Sequence, residues 1–365
     1  MDHSFSKQQT LAAKGVAICF LLWHHLFGRV HTGVDRTFIF GIDFVLETGR
    51  LGKGCVCFFA ILSAYGLTIS YKKWKSKSNN SDTAFVADRY ISLISRFLVV
   101  VAVTMLSGFF LDRSIFKVYG ANAKLPLKLL FEALGLADLF GTKTFNSTWW
   151  YMSFAVILIA ALPILYKVVE KYKLVAVFPV IFLPYFFKTG PNLQYLLAGV
   201  VGVYAAENNV FEKLRELRVL KNKYGNKAIK LLILLLILAL FLYIKILKFS
   251  KLHTLAYVPI SFLIILIGYE FVFIWKPIRV VSAFLGKHSV NMYMSHTFLY
   301  RHYFKDFYYS LKNPYLIFGT LLATSLLLSM FIELIKKPIF FDTGVEKFRK
   351  FVQRKFSEKA HLSGT

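Results

Sequence analysis

A lysine and a histidine lie eleven positions apart in KGVAICFLLWHHLF, the first long apolar segment, where they are Lys14 and His25. In an α-helix this separation is about 20° beyond three full turns, with a rise of about 16 Å, so the two side chains share one helix face. His24 points about 80° away from Lys14. An imidazole titrates near neutrality and suits proton transfer, and an ionisable group inside a membrane segment indicates function. We therefore predict a catalytic role for His25, with Lys14 as a second candidate.

Each of these residues also has a simpler interpretation. Lys14 can extend its ammonium group to water at a membrane border and so anchor the helix. His25 can be satisfied by a hydrogen bond to a neighbouring helix. His24 is interpreted as a structural or supporting residue.

The composition is that of a membrane protein, with 57% hydrophobic, 17% aromatic and 18% charged residues among 365. Apolar runs approach the ~20 residues that cross a bilayer core of ~30 Å. The predicted fold class is an all-α polytopic membrane protein with about ten transmembrane helices, in which residues 1–335 form the membrane domain and residues 336–365 a basic cytoplasmic tail. The predicted spans are 11–30, 54–71, 96–112, 149–166, 174–187, 191–206, 231–249, 252–275, 288–304 and 314–335.

The net charge of +26 is unevenly distributed along the chain. With both termini placed in the cytoplasm, the inner segments contain 29 of the 45 Lys and Arg residues, as expected for cytoplasmic loops. The charge therefore indicates topology and contact with the lipid bilayer, and we predict no nucleic-acid partner. The three cysteines lie in or beside apolar segments, so neither a disulfide framework nor a metal site is predicted.

The local sequence pattern supports two further predictions, one about a loop and one about ion pairs. Residues 113–148, the longest outer loop, are apolar enough in part for a short helix on the outer face. Glu270 and Glu333 lie near inner ends of spans, and we expect them to form ion pairs with Lys276 and Lys336.

Five short elements of the sequence resemble membrane-bound acyltransferase family 3, whose bacterial members O-acylate extracytoplasmic glycans. The first span has the family's basic residue and histidine, with Lys14 in place of arginine. The other elements are CFFAILSAYG with Ser63 and Tyr65, the basic start of the third span, WWYMS, and GKHSVNMYMSHTF with Ser289, Tyr293 and His296. Ala64 replaces a usual glycine.

This resemblance implies a reaction and its partners. The donor substrate is acetyl-CoA on the cytoplasmic side, and the acceptor is a hydroxyl of a surface polysaccharide, such as capsule, or of its lipid-linked precursor. The location is the bacterial plasma membrane, and no metal is predicted. The short chain resembles stand-alone members of the family.

The same scheme assigns candidate residues to each substrate. Basic groups at the inner rim suit the phosphates of CoA, and polar or aromatic groups at the outer rim suit a sugar. The aromatic groups are equally typical of an interfacial belt, and a histidine in the ninth span also suits a structural hydrogen bond. The donor-site candidates are Lys72, Lys73, Arg89 and Arg96, and the acceptor-site candidates are Trp149, Trp150, Tyr151, Asn146, Glu47 and His296.

The sequence leaves the mechanism and the protein class open. His25 either deprotonates the acceptor hydroxyl as a general base or carries the acetyl group itself. The alternative function is a transporter or flippase of a glycan precursor. Transporters commonly have internal repeats, and KGVAICFLLWHH has no counterpart within residues 174–335.

Overall fold

The computed structural model describes residues 5–31, 33–76, 81–186, 195–246 and 255–362. The chain forms two compact units. The first comprises residues 1–68 and 164–289, and the second comprises residues 69–163 and 290–365. Both units are helical, and the first also contains a short antiparallel hairpin in which Phe38–Ile39 pairs with Ile42–Asp43. The predicted division into residues 1–335 and 336–365 does not coincide with these units.

The helical bounds follow from the periodic apolar sequence and its interruptions by turns. In chain order the α-helices are α1 (Lys7–Phe27), α2 (Phe44–Leu51), α3 (Cys55–Lys75), α4 (Asp82–Phe110), α5 (Ile115–Tyr119), α6 (Leu125–Ala133), α7 (Trp150–Tyr172), α8 (Val177–Phe186), α9 (Leu196–Glu207), α10 (Val210–Glu216), α11 (Lys223–Ile246), α12 (Tyr257–Ile267), α13 (Lys276–Thr297), α14 (Lys305–Ser310), α15 (Pro314–Lys336) and α16 (Phe341–Leu362). Two π-helical turns, Gly268–Val272 and Phe298–Tyr303, follow α12 and α13.

Six helical segments of the described chain are long and apolar enough to cross a membrane. They are Lys7–Phe27, Phe44–Lys75, Asp82–Phe110, Ser147–Phe182, Lys223–Lys245 and Pro314–Lys336, and two shorter apolar segments are Leu196–Glu207 and Tyr257–Val272. The prediction of an all-α membrane protein is therefore confirmed. The number of ten spans and the cytoplasmic termini stay predictions.

Two helices extend beyond the predicted spans. Helix α4 begins at Asp82, so much of the predicted inner loop before residue 96 is helical, and α13 likewise covers the predicted loop 276–287. Hydropathy locates the apolar part of a helix, whereas helical hydrogen bonding continues through charged residues. Conversely, α8 has only ten residues within the predicted fifth span. Residues 187–194 and 247–254, at the edges of predicted spans, lie outside the described residues.

The predicted short helix in the loop 113–148 is confirmed, since α5 and α6 both lie there. The side chain of Ser114 accepts a hydrogen bond from the Lys117 amide and caps the start of α5. Buried aromatic residues of the second unit, including Tyr119, Phe145 and Trp149, pack together next to these helices.

The C-terminal segment is a helix that packs on α4. Asp88 on α4 is 1% exposed, and its carboxylate accepts hydrogen bonds from Arg349 Nε at 2.7 Å and Nη2 at 2.8 Å. Gln353, one turn later on α16, donates a third bond of 2.6 Å. This bidentate pair therefore holds the predicted tail against the membrane helix.

Replacing Arg349 with alanine should release α16 from α4. The change removes two charge-assisted hydrogen bonds to a buried carboxylate, which corresponds to about 1.5–3 kcal/mol. Hydrogen exchange of the amides of residues 341–362 should become at least tenfold faster. The matched control is Lys350→Ala, which breaks an exposed ion pair with Glu346 and should leave exchange unchanged. Equal exchange in both variants would show that the Asp88 contact does not hold the helix.

Candidate active site

The first apolar helix is continuous through both predicted catalytic residues. The Ser6 side chain and Gln9 form a capping box at its start, and α1 then runs unbroken to Phe27. Lys14 and His25 are therefore on one helix face, as the spacing predicts, and both side chains are half-buried. This face is the structural basis of the candidate active site.

Two glycines from separate motifs meet where α1 crosses α13. A Cβ atom on Gly15 would overlap the carbonyl oxygen of Ser282, and a Cβ atom on Gly286 would overlap that of Leu11. The backbones of the two helices thus approach more closely than any other residue type permits at these positions. Lys14 is adjacent to this crossing, so the packing fixes the position of its backbone.

Changing Gly286 to alanine should separate α1 from α13. The added methyl group meets backbone atoms that cannot move independently, and overpacking of this kind costs about 1–3 kcal/mol. The thermal midpoint of the detergent-solubilised protein should fall. Gly319→Ala is the control, because a Cβ atom there has no neighbour within 4 Å and alanine favours helix. A midpoint as high in Gly286→Ala as in Gly319→Ala would contradict the close crossing.

Helix α2 packs beside the histidine pair. The Nδ1 atom of His24 is 2.8 Å from the Gly49 carbonyl oxygen, and because a carbonyl oxygen only accepts, Nδ1 is the donor. Trp23 Nε1 donates a 3.0 Å hydrogen bond to Thr48 Oγ1. His24 therefore holds α2 on α1, the structural role that the sequence predicted. Its ring centroid is 5.3 Å from that of His25.

The sequence reasoning missed α2, although a local signal for it exists. Asp43 Oδ1 accepts a hydrogen bond of 3.1 Å from the Leu46 amide, which is a typical N-cap interaction. Glu47, a predicted sugar ligand, lies on this helix and forms an exposed ion pair of 2.5 Å with Arg50. Its role toward a sugar stays a prediction.

Helix α12 supports the turn between α2 and α3. Tyr257 donates its hydroxyl proton to the Arg50 carbonyl oxygen at 3.1 Å, and Ser261 donates to that of Gly54 at 3.0 Å. These bonds join α12 to the end of α2 and to the short 3₁₀ turn Gly52–Gly54. The segment that contains α2 is therefore bonded to both α1 and α12, and these bonds fix the packing around His24.

A buried cluster of charges lies elsewhere in the first unit. Glu270 accepts from Lys230 Nζ at 2.6 Å and from Arg215 Nε at 3.2 Å, and the Arg215 guanidinium is 3.9 Å from the centre of the Tyr269 ring. The prediction that Glu270 pairs with Lys276 was wrong. The ion-pair partners of Glu270 lie on α10 and α11 rather than on the adjacent helix α13. The predicted pair of Glu333 with Lys336 is confirmed at 2.8 Å.

The predicted donor-site residues lie on two connected helices of the second unit. Tyr71 on α3 donates a 2.7 Å hydrogen bond to Asp82 at the start of α4, which ties the two helix ends together. Arg89 pairs with Asp88 at 3.4 Å and lies over the Phe85 ring. Of the candidates on these helices, Lys73 and Arg96 are exposed, whereas Lys72 and Arg89 are half-buried.

The second unit brings two of the motifs together. Trp149 Nε1 donates to the Met294 carbonyl oxygen at 2.8 Å, and the Asn146 amide nitrogen donates to that oxygen and to Thr297 Oγ1 at 3.2 and 2.5 Å. Asn146 and Trp149 are 0% and 2% exposed. Their polar atoms bond to α13, and their predicted sugar-binding role stays a prediction.

The remaining predicted acceptor residues lie around the same contact. Tyr293 donates its hydroxyl proton to the Thr148 carbonyl oxygen, and its ring packs edge-on against that of Tyr151. His296 is fully buried, with Nδ1 2.8 Å from the Tyr293 carbonyl oxygen. Trp150 and Tyr151 are half-buried, and their sugar-binding role stays a prediction.

The SAYG motif marks another close helix contact. A Cβ atom on Gly202 of α9 would overlap the Ile61 carbonyl oxygen and lie 2.8 Å from the Ala64 methyl group. Ala64, at the position where the family usually has glycine, is fully buried there. Small residues thus explain this motif through packing.

One comparison with known proteins identifies the chain's family. The family model described as an acyltransferase domain, that of acyltransferase family 3, matches residues 12–334. No curated protein and no solved structure gives a significant match. The matched region contains the histidine pair, the glycine crossing and both motifs of the second unit. The chain therefore belongs to acyltransferase family 3 and is a multi-pass membrane acyltransferase.

Proposed function

We propose that the protein transfers an acetyl group from cytoplasmic acetyl-CoA to a hydroxyl of an extracytoplasmic glycan at a bacterial plasma membrane. The observation that carries this proposal is the unbroken helix α1, which presents Lys14 and His25 on one face. The glycine crossing fixes one end of this face and α2 fixes the other. An acyltransferase requires such a positioned base or nucleophile.

The proposed topology gives each end of α1 a substrate. With ten spans and both termini in the cytoplasm, Lys14 lies at the inner border and His25 lies past the midplane. The basic inner segments then face the anionic donor. The phosphates of CoA would be held by Lys72, Lys73, Arg89 and Arg96, whose cationic groups favour charge-assisted hydrogen bonds to phosphate.

The proposed chemistry uses the neutral imidazole of His25. In the direct route, the acceptor hydroxyl oxygen attacks the thioester carbonyl carbon while a ring nitrogen of His25 takes the hydroxyl proton. The carbon–sulfur bond breaks, and the CoA thiolate leaves and receives that proton from the imidazolium. In the relay route, a ring nitrogen attacks the thioester carbon, the carbon–sulfur bond breaks, and the CoA thiolate leaves with the ring proton. The hydroxyl oxygen then attacks the acetyl carbon, the carbon–nitrogen bond breaks, and the ring nitrogen takes the hydroxyl proton.

Reconstituted protein distinguishes the proposed function from its alternatives. Vesicles containing the protein should release CoA thiol over many turnovers only when acetyl-CoA and an acceptor glycan are both supplied, and acetyl ester should appear on the glycan. Movement of a glycan precursor across the membrane without ester formation would instead indicate a transporter. Rapid quenching with labelled acetyl-CoA alone separates the two routes, because only the relay leaves a base-labile acetyl group on His25.

A further inference from the structure

The second unit contains a pocket that has no role in the chemistry above. It lies where the end of α4 meets α5 and the π-helical turn after α13. Polar and charged side chains of three segments meet there. Its lining residues are Leu111, Asp112, Arg113, Lys117, Val118 and His302. We refer to it as the Arg113 pocket.

Two polar groups that line this pocket have atoms without hydrogen-bond partners in the described part of the chain. Arg113 donates from Nη2 to the Phe145 carbonyl oxygen at 2.7 Å, but its buried Nε has no acceptor, and the buried Nε2 of His302 has no partner either. Buried polar atoms in folded proteins are nearly always paired. Unpaired atoms of an arginine and a histidine beside one pocket indicate a place for a ligand.

The acidic residues near Arg113 do not neutralise it. Asp112 is mostly exposed and pairs with Lys117. Burial raises the pKa of Glu132 to about 8, although the Phe145 amide and the nearby Tyr119 hydroxyl oppose that rise. The Glu132 carboxyl group is therefore mostly protonated and uncharged at pH 7. The pocket keeps a net positive charge, to which the neighbouring Arg301 adds.

Aromatic rings support the same pocket. The Arg113 guanidinium carbon is 5.3 Å from the centre of the Phe145 ring, whose plane is nearly parallel to that of Tyr119. The ring of His302 packs against Phe298 at 5.6 Å. Phe145 and Tyr119 are buried and do not line the pocket, so they support the guanidinium from inside the unit. The arginine that lines the pocket suits an anionic ligand.

We infer that the Arg113 pocket binds the carboxylate or phosphate group of an acidic sugar unit in the acceptor glycan. This inference rests on the proposed function, because it assigns a chemical class to the acceptor. The guanidinium supplies the charge-assisted hydrogen bonds, for which its planar shape and fixed donors are suited. A neutral sugar of the same shape would leave the arginine without its anion and would bind more weakly.

Isothermal titration calorimetry on the purified full chain tests this directly. The probes are glucuronate, its uncharged methyl ester, glucose 6-phosphate and inorganic phosphate, without any acetyl donor. We expect an acidic sugar, either glucuronate or glucose 6-phosphate, to bind at least tenfold more tightly than the methyl ester and inorganic phosphate. Arg113→Gln should lower that affinity about tenfold, whereas Arg113→Lys should retain part of it.

Two further variants distinguish a specific loss of binding from a loss caused by misfolding. Lys117→Glu reverses an exposed charge at the pocket wall and should weaken binding of the acidic sugar without lowering the thermal midpoint. Arg36→Gln, in an exposed ion pair with Asp43 of the first unit, should change neither. The inference would be overturned if neither acidic sugar bound more tightly than its reference, which is the methyl ester for glucuronate and inorganic phosphate for glucose 6-phosphate. Unchanged binding in Arg113→Gln and Lys117→Glu would also overturn it.

Because this assay needs no turnover, its outcome is independent of acyl transfer. Failure to bind acidic sugars would remove the assigned acceptor class and leave the acetyl-transfer proposal intact. If the acetyl-transfer proposal is wrong, the protein will form no acetyl ester although it still binds glucuronate.

Discussion

Replacing His25 with alanine should lower acetyl transfer by about 10²–10⁴-fold, the usual contribution of a positioned general acid–base group. Under either proposed route the imidazole takes part in the reaction itself, so its removal slows the chemical step. The rate of CoA thiol release in reconstituted vesicles, with acceptor present, measures the loss. The thermal midpoint should change little, because His25 is only half-buried.

His24→Ala is the matched control on the same helix. It removes the hydrogen bond to the Gly49 carbonyl oxygen and should lower the thermal midpoint, while the folded fraction keeps most of its turnover. The opposite result, with His24→Ala inactive and His25→Ala active, would reassign the chemistry to the other ring. Full activity in both variants would remove the histidine pair from the reaction.

Glu270→Ala should have the largest effect on stability. Lys230 and Glu270 are each 4% exposed, so removing the carboxylate leaves an ammonium group buried without its counter-charge. Breaking a buried pair in this way costs about 3–5 kcal/mol. Denaturant or thermal unfolding in detergent should show this loss, and the yield of folded protein should fall sharply.

The comparison variant is Glu47→Ala. Its ion pair with Arg50 is exposed on both sides, and exposed pairs contribute about 0–1 kcal/mol. A second variant, Glu270→Gln, keeps hydrogen-bond acceptance and should fall between the two. If Glu270→Ala were as stable as Glu47→Ala, the buried charge cluster would stabilise the protein no more than an exposed ion pair does. That result would contradict the prediction.

Sequence periodicity could predict those structural features that are set by the geometry of a single helix. The shared face of Lys14 and His25 needs only the regular geometry of α1, and the apolar spans need only composition. The crossing of Gly15 and Gly286 depends on two helices more than 250 positions apart in the sequence, so no local pattern contains it. The partner of Glu270 was mispredicted for the same reason, since Lys230 is 40 positions away.

The candidate site residues also divide into those that local sequence predicts and those that depend on tertiary packing. Trp149 begins the predicted fourth span and Asn146 lies just before it, a local position that does not indicate that both are buried and bond to α13. Arg113 and Glu132 received no role, because their loop contains no recognisable motif and their significance comes from burial and unpaired atoms. Helix α2 was accessible to local reasoning through its Asp43 cap.

The most direct test of the account measures O-acetyl groups on the surface glycans of cells that produce the protein. Proton NMR of the purified glycan should show acetyl ester signals with the unaltered chain and none above background with His25→Ala, at equal amounts of membrane-inserted protein. Acetyl signals of equal intensity in the two samples would contradict the assignment of acetyl transfer to His25.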